Sequence, residues 1–113
     1  NQSLYVYQPA LWAPRAAEGS LLGIATRAIY MAFLRRALRR LAFRTPSLWL
    51  FLPDMEVFVG RFGEKLVIYH IVDEYAGYSG VSEVWRPVVQ RMEQQLAQRA
   101  DLLFVTSPAW LER

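Results

Sequence analysis

The sequence predicts an α/β protein with a mainly parallel sheet, and two observations lead to this fold class. Short runs of apolar and β-branched residues alternate along the chain with longer segments that repeat apolar residues at helical spacing. The chain has 113 residues, enough for one domain with a core but few for a doubly wound sheet. We therefore predict a Rossmann-like parallel sheet with flanking helices, in a single domain over residues 1–113 or a fragment of one.

The first three elements are predicted from alternating apolar residues, from a residue type that favours helix N-caps and from the positions of the prolines. SLYVYQP at 3–9 alternates and ends at a proline, which predicts a strand. The segment 20–43 lacks proline and begins with Ser20, a good N-cap residue, so it predicts a long helix. SLWLFLP at 47–53 predicts the second strand.

A short helix and a buried strand are expected next. Asp54 is expected to cap a helix that runs to about Phe62 and ends before Gly63. The run LVIYHIV at 66–72 is short, apolar and rich in β-branched residues. These properties predict a strand that is covered on both faces, as in a parallel sheet.

The last third of the chain repeats the alternation of helix and strand. Residues 82–99 predict a helix that restarts at Pro87 and has one apolar face, made of Val88, Val89, Met92 and Leu96. DLLFVTS at 101–107 predicts a strand. A further helix is expected to begin with Ser107 as its cap and Pro108 at its first position. Because the sequence stops as this helix starts, we expect a fragment of a larger protein.

The candidate functional residues follow the strand at 66–72. His70, the only histidine, lies near the end of this strand, and Asp73, Glu74 and Tyr75 come directly after it. In open α/β sheets, ligands bind beyond the carboxyl ends of the strands. We therefore expect His70 and Asp73 to serve catalysis, with Glu74 and Tyr75 contacting a bound substrate.

Several classes of site are disfavoured by the sequence. It has neither a GxxxxGK[ST] phosphate loop nor a GxGxxG after a strand. The segment GYSGV at 77–81 lacks the last glycine of a nucleophile elbow, and the histidine precedes the serine, so a serine hydrolase is disfavoured. One histidine and no cysteine disfavour a zinc site, and we expect neither a metal nor a cofactor.

Each candidate residue also has a purely structural interpretation, and these alternatives stay open. A single histidine in an apolar strand is often a hydrogen-bonded core residue. Asp73 and Glu74 can be a pair that caps the next turn, and Ser107 is fully explained as an N-cap. Tyrosines in a loop, such as Tyr75, need no function.

Three segments together resemble a known family. LWLFLPDM, LVIYHIVDEYAGYSG and RMEQQLAQRADLLFVTSPAWLER occur in this order. They resemble the N-terminal domain of two-domain (GT-B) glycosyltransferases of the group 1, or family 4, kind. The resemblance covers most of residues 3–113, although the glycine-rich loop that this family has after its first strand is not visible.

The resemblance implies a retaining enzyme that transfers a sugar from a nucleotide-sugar donor to a sugar or lipid-linked acceptor. This chain would supply the acceptor-binding half, with His70 and Asp73 facing the cleft and Ser107 matching the serine of the last strand end. The donor would be held mainly by a C-terminal domain that is absent here. We therefore expect the chain alone to be inactive. The resemblance also implies a cytoplasmic enzyme that acts peripherally at the inner face of the membrane.

A basic surface is predicted on the long helix. At 100° per residue, one broad side holds most of the arginines, namely Arg35, Arg36, Arg39, Arg40 and Arg44, with Phe33 and Phe43 among them. The opposite side holds Met31, Leu34, Ala37, Leu38 and Leu41. The basic side is either an ordinary solvated face or a surface that binds an anionic membrane. Its localised charge favours such a partner over general binding of nucleic acid.

Two classes of function therefore remain at the level of sequence. The first is the acceptor-binding part of a glycosyltransferase. The second is a stand-alone α/β binding or interaction domain, in which the basic helix is the working surface and binds a membrane or another partner.

Overall fold

The computed structural model describes residues 3–7, 21–72 and 80–108. The chain divides into two compact units, Asn1–Arg44 and Thr45–Arg113. The two units are considered separately below.

The described part of the first unit contains a long helix, α1, which spans Leu21–Arg40. It confirms the helix predicted at 20–43, while the expected cap Ser20 lies outside the described residues. The predicted strand at 3–9 is wrong as far as residues 3–7 are concerned, because these residues form no strand and are exposed. Alternation alone does not make a strand when no neighbouring strand accepts its backbone hydrogen bonds. Tyr7 instead places its ring edge-on to Tyr30, with 6.2 Å between the ring centroids.

Helix α1 ends three residues earlier than predicted, and its hydrogen bonds explain the ending. The Phe43 N–H donates to the carbonyl of Leu38 (2.9 Å) and the Ala42 N–H donates to the carbonyl of Arg39 (3.1 Å). Ala42 has a φ of 60°. This is the hydrogen-bond pattern of a Schellman motif, which places one residue in the left-handed region, usually a glycine.

We expect the substitution Ala42→Gly to stabilise this helix end. Glycine adopts a positive φ without steric cost, whereas this conformation destabilises an alanine by about 1 kcal/mol. The gain from glycine is partly offset because glycine has more conformational freedom in the unfolded chain. Thermal unfolding followed by circular dichroism should show a higher midpoint for Ala42→Gly. Ala37→Gly, in the helix interior, should instead lower the midpoint. A lower midpoint for both variants would contradict the left-handed conformation of Ala42.

The second unit is built on a parallel sheet, as predicted, but the sheet has three strands among the described residues where the sequence predicts four. The strands are β1 (Ser47–Leu50), β2 (Leu66–Ile71) and β3 (Leu102–Val105), in the spatial order β1-β2-β3. Helix α2 (Arg86–Arg99) connects β2 to β3 along the chain, and a 3-10 helix (Pro53–Phe58) follows β1. This α/β arrangement is compatible with a Rossmann-like fold.

The short helix after β1 differs from the prediction in its start and its end. Its N-cap position is Leu52, which makes no side-chain capping hydrogen bond, and Pro53 occupies the first turn. Asp54 therefore lies inside the first turn and is not the cap, because the fixed φ of proline already begins the helix one residue earlier. The helix ends at Phe58, and Gly60, with a φ of 78°, makes the turn that follows it. Helix α2 likewise begins at Arg86 instead of Ser82, with a proline in its first turn.

The turn at Gly60 is held by the carboxylate of Glu64. This carboxylate accepts hydrogen bonds from the backbone N–H groups of Gly60 and Phe62. Partial burial by itself would raise the pKa of Glu64. The hydrogen bonds from Gly60, Phe62 and its own backbone outweigh this effect, together with the nearby charge of Arg99, and lower the pKa below its ordinary value.

The core of the second unit lies on one face of the sheet. Its buried members are Leu50, Val59, Val67, Tyr69, Ile71 and Leu96. Leu96 is the one residue of the predicted apolar face of α2 that is fully buried, whereas Val88, Val89 and Met92 are half-buried. Because β1, β2, α2 and the turn after the 3-10 helix all contribute, the core depends on contacts between segments that are distant in sequence.

Hydrogen bonds and an ion pair from side chains fix the elements around this core. The Asp101 carboxylate accepts the Val67 N–H (2.8 Å), and the Asp101 N–H donates to the carbonyl of Val67 (2.8 Å). At the other end of β2, the Thr106 hydroxyl donates to the carbonyl of Val72 (2.9 Å). Arg99, at the end of α2, forms an ion pair with Glu56 and donates to the carbonyl of Val59 (3.0 Å).

Candidate functional site at the carboxyl end of the sheet

His70 lies where the sequence places it, as the last residue but one of the central strand. In β2, Val67, Tyr69 and Ile71 contribute to the core, and side chains alternate between the two faces of a strand. His70 therefore projects from the other face, close to the carboxyl end of the sheet. Its side chain is half-buried. This is the part of a parallel sheet at which ligands usually bind.

Aromatic side chains of both neighbouring strands surround His70. Together they form what we call the aromatic face, which consists of Trp49, Phe51, His70 and Phe104. The imidazole centroid lies 5.4 Å from that of Phe51, 6.1 Å from that of Phe104 and 6.2 Å from that of Trp49. The rings of Trp49 and Phe104 stack with 5.9 Å between their centroids. Such distances are typical of favourable aromatic contacts.

Strand register explains how these residues meet. His70 is paired with Phe104, and Trp49 is paired with Ile68, which lies on the same face as His70 two residues earlier. The aromatic side chains at the edge strands remain accessible, since Trp49 is 53% exposed and Phe104 is 47% exposed. Ile68 in the central strand is buried. The prediction of a strand buried on both faces is therefore right for β2, while the strands beside it expose large rings.

One nitrogen of the His70 ring lacks a hydrogen-bond partner in the part of the chain that the structure describes. This atom, Nδ1, is buried. A buried polar atom without a partner costs about 1–3 kcal/mol. Because this nitrogen is buried, a hydrogen-bond partner for it must be a group that packs directly against the ring and lies outside the described residues.

The other predicted site residues are only partly described. Asp73, Glu74 and Tyr75 lie outside the described residues, so their distance from His70 is not tested. Ser107 is described and exposed, just beyond β3. The helix that it was expected to cap lies mostly outside the described residues, and this capping role stays a prediction.

Sequence reasoning missed the aromatic part of the site. Trp49, Phe51 and Phe104 were assigned only to strands. Trp49 and Phe51 are two residues apart, a spacing that places them on one face of the strand predicted at 47–53, although β1 itself ends at Leu50. Their contact with His70 depends on the register between strands, which the sequence alone does not give.

The basic side of α1 is largely as predicted. Arg35, Arg36, Arg39 and Arg40 are all exposed on the helix. Phe43 and Arg44 are exposed too, but they follow Arg40, the last helical residue, so the prediction that they share this side of the helix is wrong. On the opposite side, Met31 is buried and Leu34, Ala37 and Leu38 are half-buried, but Leu41 is exposed. Leu41 differs because it follows the last helical residue.

No group of three or more potential metal ligands occurs within residues 3–7, 21–72 and 80–108. In the same part of the chain, no helix is long and apolar enough to cross a membrane. Comparisons with protein-family models, with curated proteins and with solved structures each found no match.

Proposed function

We propose that this chain is the acceptor-binding part of a retaining glycosyltransferase of the GT-B type. The enzyme would transfer a sugar from a nucleotide-sugar donor, held mainly by a second domain, to a sugar or lipid-linked acceptor. The observation that carries the proposal is the position of His70 near the carboxyl end of the central parallel strand, with a buried nitrogen that has no partner among the described residues. The three sequence segments that resemble this family support it further.

The chemistry of the aromatic face suits a carbohydrate. Sugar rings present apolar C–H faces and hydroxyl groups, so they bind where aromatic rings lie beside hydrogen-bonding groups. Trp49 and Phe104 offer exposed ring surface, and His70 lies in contact with both rings. A neutral imidazole can donate from one nitrogen and accept at the other.

Asp73 and Ser107 are two further residues of the proposed site, and in the sequence both follow strand ends at the same edge of the sheet. Asp73 follows the end of β2 by two residues, and an ionised carboxylate accepts hydrogen bonds from sugar hydroxyls. Ser107 follows the end of the neighbouring strand β3 by two residues. In this proposal His70 and Asp73 orient the acceptor hydroxyl that attacks the donor sugar, and Ser107, Glu74 and Tyr75 contribute further contacts.

Replacing His70 by phenylalanine separates the catalytic from the structural interpretation. Phenylalanine preserves the ring packing against Trp49, Phe51 and Phe104 and removes both nitrogens. We expect His70→Phe in the full-length protein to lose at least about 100-fold in turnover, the size of effect usual for a residue that transfers or positions a proton. Its melting temperature should stay the same or rise, because the buried nitrogen that has no partner among the described residues is gone. Asp73→Asn should also lower turnover.

The assay would present a set of labelled nucleotide sugars with sugar and lipid-linked acceptors. Lys65→Ala, at the exposed amino end of β2, is the matched control and should retain full turnover. If His70→Phe turns over at a rate close to that of the unmodified protein, His70 is a packing residue. If the unmodified full-length protein transfers no sugar from any donor, the glycosyltransferase proposal is overturned in favour of a binding domain.

A further inference from the structure

The exposed side of α1 has apolar side chains in its first half and basic side chains in its second half. Ile29, Phe33, Arg36 and Arg40 are spaced four, three and four residues apart, so they lie in one stripe along the helix. All four are exposed, with Ile29 at 46% and Phe33 at 48%. At about 1.5 Å of rise per residue the stripe is about 16 Å long. We call it the α1 stripe, with an apolar first half and a basic second half.

The charge around the stripe is of one sign. Residues 21–44 contain six arginines and no acidic residue, whereas residues 45–113 contain six basic and nine acidic residues. The net positive charge of the chain therefore lies entirely in its first unit. Charge concentrated in this way attracts an extended anionic surface and is not neutralised by acidic neighbours on the same helix.

We propose that the α1 stripe binds the surface of an anionic lipid bilayer. The arginines Arg36 and Arg40, with Arg39 beside them, would contact lipid phosphates, while Ile29 and Phe33 would enter the boundary between headgroups and acyl chains. Phe43, just beyond the helix, is exposed and adds a second aromatic side chain at the basic end. A nucleic acid would use the arginines but would leave the exposed apolar half without a role, so a lipid surface fits both halves better.

The test is co-sedimentation of the 113-residue chain with two kinds of vesicle. One kind contains phosphatidylcholine alone, and the other contains phosphatidylcholine with about one third phosphatidylglycerol. We expect binding to the anionic vesicles only, and we expect it to weaken steeply as salt rises, because charges are screened over about 8 Å at physiological ionic strength.

Charge reversal locates the binding surface. A basic side chain near an anionic bilayer strengthens binding about fivefold, so the double variant Arg36→Glu, Arg40→Glu should weaken binding by about 25-fold or more. The control is the double variant Lys65→Glu, Arg91→Glu, which changes the net charge by the same amount at exposed positions of the second unit. The control should bind almost as well as the unmodified chain. Phe33→Ala should weaken binding and leave its salt dependence unchanged.

Three results would overturn the proposal. The first is equal sedimentation with both kinds of vesicle, and the second is an equal loss of binding in the two double variants. The third is tighter binding of a DNA duplex than of anionic vesicles, lost in Arg36→Glu, Arg40→Glu, which would assign the arginines to nucleic acid. Circular dichroism of each variant checks that the helix is intact. If the charge reversal unfolds it, the milder Arg36→Gln, Arg40→Gln should still show an intermediate loss of binding.

Discussion

Replacing Leu96 by alanine is expected to lower the free energy of unfolding by about 3 kcal/mol. Leu96 is fully buried, and it is the residue through which α2 enters the core formed by Tyr69, Ile71 and their neighbours. Alanine would remove buried methyl and methylene groups and leave a cavity that a sheet of three short strands cannot easily close. Urea denaturation followed by circular dichroism measures the change.

The control for Leu96→Ala is its neighbour Gln95, which is exposed on the same helix. Gln95→Ala should change the free energy of unfolding by less than about 0.5 kcal/mol, as is usual for a surface position. If Leu96→Ala costs as little as Gln95→Ala, then α2 does not pack on the sheet through Leu96.

Replacing Asp101 by alanine is expected to cost about 1.5 kcal/mol, the usual value for a hydrogen bond to a charged group. The Asp101 carboxylate accepts the N–H of Val67, near the start of β2. Alanine would leave this N–H without its partner, and the loss of the side chain would weaken the junction between α2 and β3. The free energy of unfolding at neutral pH, again from urea denaturation, measures the effect.

Two further variants make the test of Asp101 specific. Asp101→Asn keeps an oxygen that can accept the Val67 N–H, so it should recover part of the loss. Asp54→Ala removes a carboxylate at an exposed position in the 3-10 helix and should cost much less. Equal losses for Asp101→Ala and Asp54→Ala would mean that the hydrogen bond to Val67 contributes nothing to stability.

The sequence predicted the elements whose signals are local. The apolar run at 66–72 became β2, and the helical spacing that ends in Leu96 became α2. Each is recognisable because the residues that an element buries recur at a spacing typical of that type of element. The strand predicted at 3–9 is wrong for residues 3–7. Alternating residues show which side chains could share a face, but a strand also needs a neighbouring strand for its backbone hydrogen bonds. Aspartate is common at helix caps, which predicts Asp54 as the cap, but Pro53 already starts the helix.

The candidate site was predictable only in part, for a related reason. His70 could be placed at a strand end from its own segment. Trp49 and Phe104 are 21 and 34 residues away from it along the chain, and only the register of β1 and β3 against β2 brings their rings to the imidazole. Contacts of this kind are properties of the assembled sheet.

The hydrogen bonds of Asp101 and Thr106 have a consequence for the motions of the sheet. They reinforce the pairing of β2 with β3 at both of its ends. Within the described residues, the ladder between β1 and β2 has one backbone hydrogen bond beyond it, from the Lys65 N–H to the carbonyl of Pro46 (3.0 Å). Local opening begins where the fewest interactions must break. When the second unit fluctuates, β1 should therefore detach first. Trp49 would leave with it, while the histidine and Phe104 stay together on the strands that remain paired.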